Sequence, residues 1–122
     1  MRLNVTGTER AVVITPRGDF LGYDHAVLRD TLSDARANGI TNVVLDLGHA
    51  THIDTSAVGV VLAEARTHRA LGGDLRIAGV EANARTFSLI TLTRVSDTLA
   101  CFADVDQAVG SFDVDEGALT FA

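Results

Sequence analysis

The sequence contains no lysine: its ten basic residues are all arginine, set against sixteen Asp and Glu. The formal charge of -6 at pH 7 argues against a surface built to neutralise phosphate backbones, so no nucleic-acid partner is expected. Cysteine occurs once, at Cys101, which excludes an internal disulfide and makes the cytoplasm the default expectation. Cys101 lies in the apolar run TLACF with no basic neighbour in sequence, so it reads as a small buried side chain rather than a reactive thiol. Proline is also used once, and no low-complexity tract or internal repeat is visible. The chain therefore reads as globular rather than disordered. Long apolar runs are missing too. The opening MRLNVTGTER has no stretch of signal-peptide length, and no window approaches the ~20 apolar residues of a membrane span. No membrane partner or targeting segment is expected from the chain as written.

What is present suits one domain, because 122 residues with 47% apolar content can bury a single core without disulfides or metal. LNV and AVVIT are β-branched runs separated by TGTE, which predicts an antiparallel pair joined by a tight turn containing Gly7, with Pro16 closing the second strand. From Asp24 to Ala37, the residues Val27, Leu28, Leu32 and Ala35 recur at helical spacing, and Asn38-Gly39 supplies a stop. NVVLDL and DLRIAGV read as central strands buried on both faces. Between them, Ser56 to Leu71 places Val58, Val61, Leu62 and Ala65 on one helical face, giving a strand-helix-strand unit with a right-handed crossover. ALGGDL is the turn that ends this helix, its two glycines placed where positive φ is needed. Ala84, Phe87 and Ile90 form a further helical stripe, TLACF is a short apolar segment, and DVDQAVGSF suits a last helix capped by Asp104. The expectation is an α/β domain over residues 1–112, with a mixed, mostly parallel sheet of about five strands and about four helices. Residues 113–122 form a C-terminal tail.

HIDTSAVGVV, from His52 to Val61, concentrates the chemistry, with an acid and two hydroxyls directly before an apolar run. A hydrolase elbow needs glycine two positions either side of its serine, and here Asp54 and Val58 occupy those places. His52 and Ser56 also lie on one short segment, whereas triads are assembled from distant parts of a chain. His49, His52 and Asp54 could suggest a metal, but HxxH is not the i, i+4 pair of a zinc-protease helix, and no cysteine accompanies it. A phosphoaspartate receiver centred on Asp46 would require a lysine near the end, and there is none. No GxxxxGK[ST] or GxGxxG cradle is present. No catalytic residue, metal or cofactor is expected. The remaining reading is a helix cap: Asp54 or Thr55 accepts a hydrogen bond from a first-turn amide, and Ser56 sits where an added phosphate would be tolerated.

VVLDLGHATHIDTSAVGVVLAEARTHRALGGDLRIAGV, preceded by PRGDFLGYDHAVLRDTL, resembles the STAS domain of the anti-sigma-factor antagonists. Their pattern is a buried strand, a DSSGLG-like motif, and a helix ending in GG before the next strand. The resemblance covers roughly Leu3 to Phe112. It implies that Ser56 is the residue phosphorylated by a partner serine kinase that is also the anti-sigma factor, with Thr55 as the alternative acceptor. It further implies that Asp54, Thr55, Ala57 and Val58 belong to the partner-binding segment, and that ATP is bound by the partner. Thr55 replaces a frequent serine, Ala57 the glycine after the acceptor, and Leu21 an acid in the turn before the first helix. The expected function is a phosphorylation-controlled protein-binding module in partner switching and transcription regulation in a bacterium. The alternative is a constitutive STAS scaffold or ligand-binding domain of a stress-signalling assembly, without phosphorylation and with self-association into a homodimer open to it.

Overall fold

The computed structural model describes residues 2–8, 11–21, 24–82 and 94–112, together with residues 86, 88 and 90. Strands β1 (Arg2–Gly7) and β2 (Val12–Phe20) form an antiparallel pair, followed by helix α1 (His25–Ala37) and strand β3 (Asn42–Asp46). Strand β4 (Ala50–Ile53), helix α2 (Thr55–Ala70), strand β5 (Asp74–Ala78), the two-residue strand β6 (Cys101–Phe102) and helix α3 (residues 105–112) complete the order. The sheet runs β1-β2-β3-β5-β6, with β4 added beside β2 beyond the end of β3. All pairings except β1 with β2 are parallel.

The predicted α/β class and mixed, mostly parallel sheet are present. Among the described residues the sheet has six strands against the expected five or so, the additional one being β4. The described residues hold three helices rather than about four; of the fourth stripe, Ala84 and Phe87 lie outside them, and Ile90 is a buried helical residue. The tail at residues 113–122 also lies outside them.

Pro16 does not close β2, which continues to Phe20. On one side β2 pairs with β1 over Val12–Arg17; on the other it pairs with β3 over Val12–Ile14 and with β4 only from Gly18. Pro16 falls in the gap between those partners, where a missing N–H costs no ladder bond. Gly7 likewise belongs to β1 rather than to the turn. The turn is closed by Thr8, whose N–H and hydroxyl both donate to the Ala11 carbonyl at 2.8 and 2.9 Å.

Alternation along β3 divides the core. Val43 and Leu45 join the large cluster under α1 and α2, which contains Leu28, Leu32, Val58, Val61 and Ala65, whereas Val44 faces the opposite side with Val13, Ala78, Ala108 and Phe112. Among the described residues, α3 is the helix that covers the second face. Val27, expected in the buried stripe of α1, is 48% exposed, because the stripe runs through Leu28, Leu32 and Ala35 instead.

Candidate functional site

Asp54 ends β4 and starts α2 in one residue. Its extended backbone (φ -108, ψ 171) keeps it outside the helix, and its Oδ1 accepts the Ala57 N–H at 2.7 Å. Of the two sequence candidates for the cap, the structure selects Asp54, and Thr55 becomes the first helical residue. A side-chain acceptor here satisfies one of the amides that have no intrahelical carbonyl, worth about 1 kcal/mol.

The first turn then sorts its side chains by direction. Thr55 and Ser56 are exposed, while Ala57 is 1% exposed and Val58 6%. Ala57 and Val58, expected in the partner-binding segment, therefore turn their side chains into the main core, so a protein touching this turn meets hydroxyls and backbone rather than these two. The Ala57 methyl also leaves the outer surface open. Beyond the hydroxyl pair, Gly59 and Ala63 continue the exposed face with small groups. No charged residue lies between Asp54 and Glu64.

His52 lies on β4. Its Nδ1 lies 2.7 Å from Oδ1 of Asp19 on β2, both side chains being about half exposed. His49 is exposed and lines an open groove of about 410 Å³ with Asp46, Gly48, Gly79, Asp104 and Asp106 at the ends of β3, β5 and β6. Among the described residues no group of three His, Cys, Asp or Glu is placed to hold a metal ion. Cys101, expected buried, is half-buried; its Sγ lies 3.5 Å from the Leu99 carbonyl, and burial raises its pKa.

A second polar group went unnoticed in the sequence. Toward its C-terminal end α2 buries Glu64 and His68, 7% and 0% exposed. Arg36 of α1 donates from Nη1 to Glu64 Oε2 at 2.8 Å and lies 3.2 Å from His68 Nε2, while His68 Nδ1 is 2.9 Å from the Thr41 carbonyl oxygen. The available signal was the spacing: Glu64 and His68 are four apart and interleave with Val61 and Ala65 on the core-facing stripe.

A sequence model of the STAS domain matches residues 2–108, and the strand, cap and helix described above fall within that span. The chain belongs to the STAS domain family. A comparison with curated protein sequences gives no match. Among solved structures, this STAS domain is similar to an anti-sigma factor antagonist from Mycobacterium paratuberculosis. The TM-score is 0.79 at 15% identity, covering 92% of this chain and 93% of that one. It is similar to the Bacillus cell fate determinant SpoIIAA in its phosphorylated form, with a TM-score of 0.69 at 19% identity and coverage of 90% and 98%. A sulfate transporter family protein from Wolinella succinogenes also matches, with a TM-score of 0.69 at 16% identity over 84% of each chain. At these identities the likeness concerns the fold. No helix among the described residues is long and apolar enough to cross a membrane.

Within the STAS fold, the departure at Leu21 also acquires a local meaning. Leu21 is half-buried, and its N–H donates to Asp24 Oδ2 at 3.0 Å. The acid of this turn is thus used to hold the chain between β2 and α1.

Proposed function

We propose that this STAS domain is a phosphorylation-controlled protein-binding module, bound by a partner serine kinase through the first turn of α2 and released when Ser56 is phosphorylated. The supporting observation is the placement of Ser56: it is exposed on the turn that Asp54 caps, while its neighbours Ala57 and Val58 are fixed in the core. A kinase can reach such a hydroxyl without unfolding the helix.

The mechanism is electrostatic. Phosphorylation adds about -1.5 to -2 charges to a surface that carries none between Asp54 and Glu64. A partner fitted to neutral hydroxyls and small side chains would then have to desolvate an unpaired phosphate, at a cost of several kcal/mol, which moves affinity by orders of magnitude. Refolding plays no part, since the phosphate enters solvent at a helix N-terminus that favours negative charge. Thr55, exposed one residue earlier, is the alternative acceptor, and Asp54 sets the position of both. ATP belongs to the partner, and the domain itself performs no catalysis. The antagonist and SpoIIAA likenesses support this reading by fold alone.

The second reading, a constitutive scaffold or ligand-binding domain, draws on the transporter-family likeness, because the same fold occurs there in a different setting.

Intact-protein mass spectrometry after incubation with cognate cell extract and ATP tests the proposal. The expected result is one added phosphate mapped to Ser56, lost in Ser56→Ala, together with loss of kinase binding in Ser56→Asp. Labelling retained in full on Thr55 would move the acceptor. Absence of any phosphate, with stable self-association, would favour the scaffold.

A further inference from the structure

We propose that the Arg36–Glu64–His68 chain between α1 and α2 is an acid-sensitive joint: a proton taken up at His68 Nε2 displaces Arg36 and loosens α1 while α3 keeps its face of the sheet closed. The inference is independent of Ser56 and of phosphorylation.

The geometry fixes the tautomer. The Thr41 carbonyl can only accept, so at 2.9 Å it requires the hydrogen on His68 Nδ1. In a neutral ring Nε2 then holds a lone pair, and Arg36 Nη1, 3.2 Å away, donates to it. The same Nη1 reaches Glu64 Oε2 at 2.8 Å, and its two hydrogens serve one acceptor each. Gly73 makes this packing possible: a Cβ there would stand 2.0 Å from the Thr41 carbonyl oxygen. A proton on Nε2 would place an N–H against the guanidinium, setting donor against donor and positive charge against positive charge at a site with 0% exposure.

The charged groups facing the ring come from three elements. Arg36 of α1 opposes the proton, whereas Glu64 on α2 and Asp74 on β5 favour it. Burial outweighs them, and the pKa of His68 lies below its ordinary 6.5. The folded pKa is thus below the unfolded one, so the joint's full stability is present above pH 6.5. It declines as pH falls, because the open form takes up the proton first. One pKa unit corresponds to 1.36 kcal/mol, so the opening constant rises by at most about tenfold per pH unit in that range.

The opening is local because every participant lies on one side. Arg36, Thr41, Glu64 and His68 join α1, the segment before β3 and α2, whereas α3 packs through Ala108 and Phe112 on the other face.

Amide hydrogen exchange of the intact chain between pH 7.5 and pH 5.0, expressed as protection factors, tests this directly. Amides of residues 29–37 should lose protection as pH falls below about 6.5, by up to about tenfold per unit, while those of β5 and α3 keep theirs. Parallel loss in α1 and α3, or no pH dependence in α1, would overturn the joint. Nitrogen NMR of the His68 ring at pH 7.5 should show hydrogen on Nδ1, and an Nε2–H ring would overturn it equally. Both measurements use the parent chain. Arg36→Met supplies a test of sign: with the guanidinium gone, a protonated His68 can pair with Glu64, so α1 should gain protection on acidification. The same acid-induced loss as in the parent would count against the proposal.

Discussion

At its N-terminal turn α2 presents Thr55 and Ser56 to solvent, whereas two turns further on it buries Glu64 and His68 and ties both to Arg36. Both ends are polar, and the polarity serves opposite purposes. A hydroxyl left in water costs nothing to modify. A buried carboxylate, imidazole and guanidinium are tolerable only as a complete set, since removing one partner leaves another unpaired, at a cost of several kcal/mol. The helix is thus anchored at one end by groups that are costly to alter singly, which leaves the other end free to carry chemistry without losing its place.

The contrast breaks most severely at the closed end. A Cβ at Gly73 would lie 2.0 Å from the Thr41 carbonyl oxygen and 2.5 Å from its carbon, and these backbone atoms have no rotamer by which to withdraw. Gly73→Ala should destabilise the domain by about 3 kcal/mol and lower Tm by roughly 10 °C or more. Thermal unfolding followed by circular dichroism measures it. An unchanged Tm would mean that Thr41 and β5 separate freely, which would remove the support beneath His68. The neighbouring Gly72 is needed for its conformation instead, having φ +85 and nothing within 4 Å of an added Cβ. Two adjacent glycines are required for two different reasons.

At the open end the effects are smaller and divide by residue. Asp54→Ala removes the acceptor of the Ala57 N–H and should cost about 1 kcal/mol in urea unfolding. Ser56→Ala trims an exposed hydroxyl, with an expected change within about 0.5 kcal/mol. The pair sharpens the comparison: position 54 holds the turn, and position 56 only occupies it. A loss at Ser56→Ala equal to that at Asp54→Ala would make Ser56 a structural residue and weaken the switch.

Sheet, helices and cap could be read from the sequence because their signals are local. The β-branched runs of β3, the stop at Asn38-Gly39 and the acid before α2 each act within a few residues. Strand β4 was not legible, because ATHI has no apolar alternation and owes its pairing to the last three residues of β2, more than thirty positions away. Pro16 misled for the same reason, its tolerance depending on which strands flank it. The directions of Ala57 and Val58 follow from helical phase once the start is fixed at Thr55. The buried set around His68 depends on the proximity of α1 to α2, and Arg36 alone carries no hint of it. Ser56 stood out in the sequence by its motif, and its exposure adds access without supplying the partner.

The smallest expected effect belongs to the two histidines nearest the open end. His52 pairs with Asp19, but with both side chains about half exposed such a pair contributes at most about 1 kcal/mol, less as salt screens it. His49 lines an acidic groove, yet among the described residues no three ligands converge there. Replacing both with Gln should therefore leave Ser56 labelling and kinase affinity unchanged and move Tm only slightly. Zinc provides the sharper test. A metal bound only to the native state at a hundred times its dissociation constant would add about 2.7 kcal/mol, a shift too large to miss in a thermal scan. The parent should show none. A zinc-dependent rise in the parent that disappears in the double Gln variant would place a ligand site at the ends of β3 and β4. The comparison between a closed and an open end of α2 would then have to include a third, metal-held feature beside Ser56.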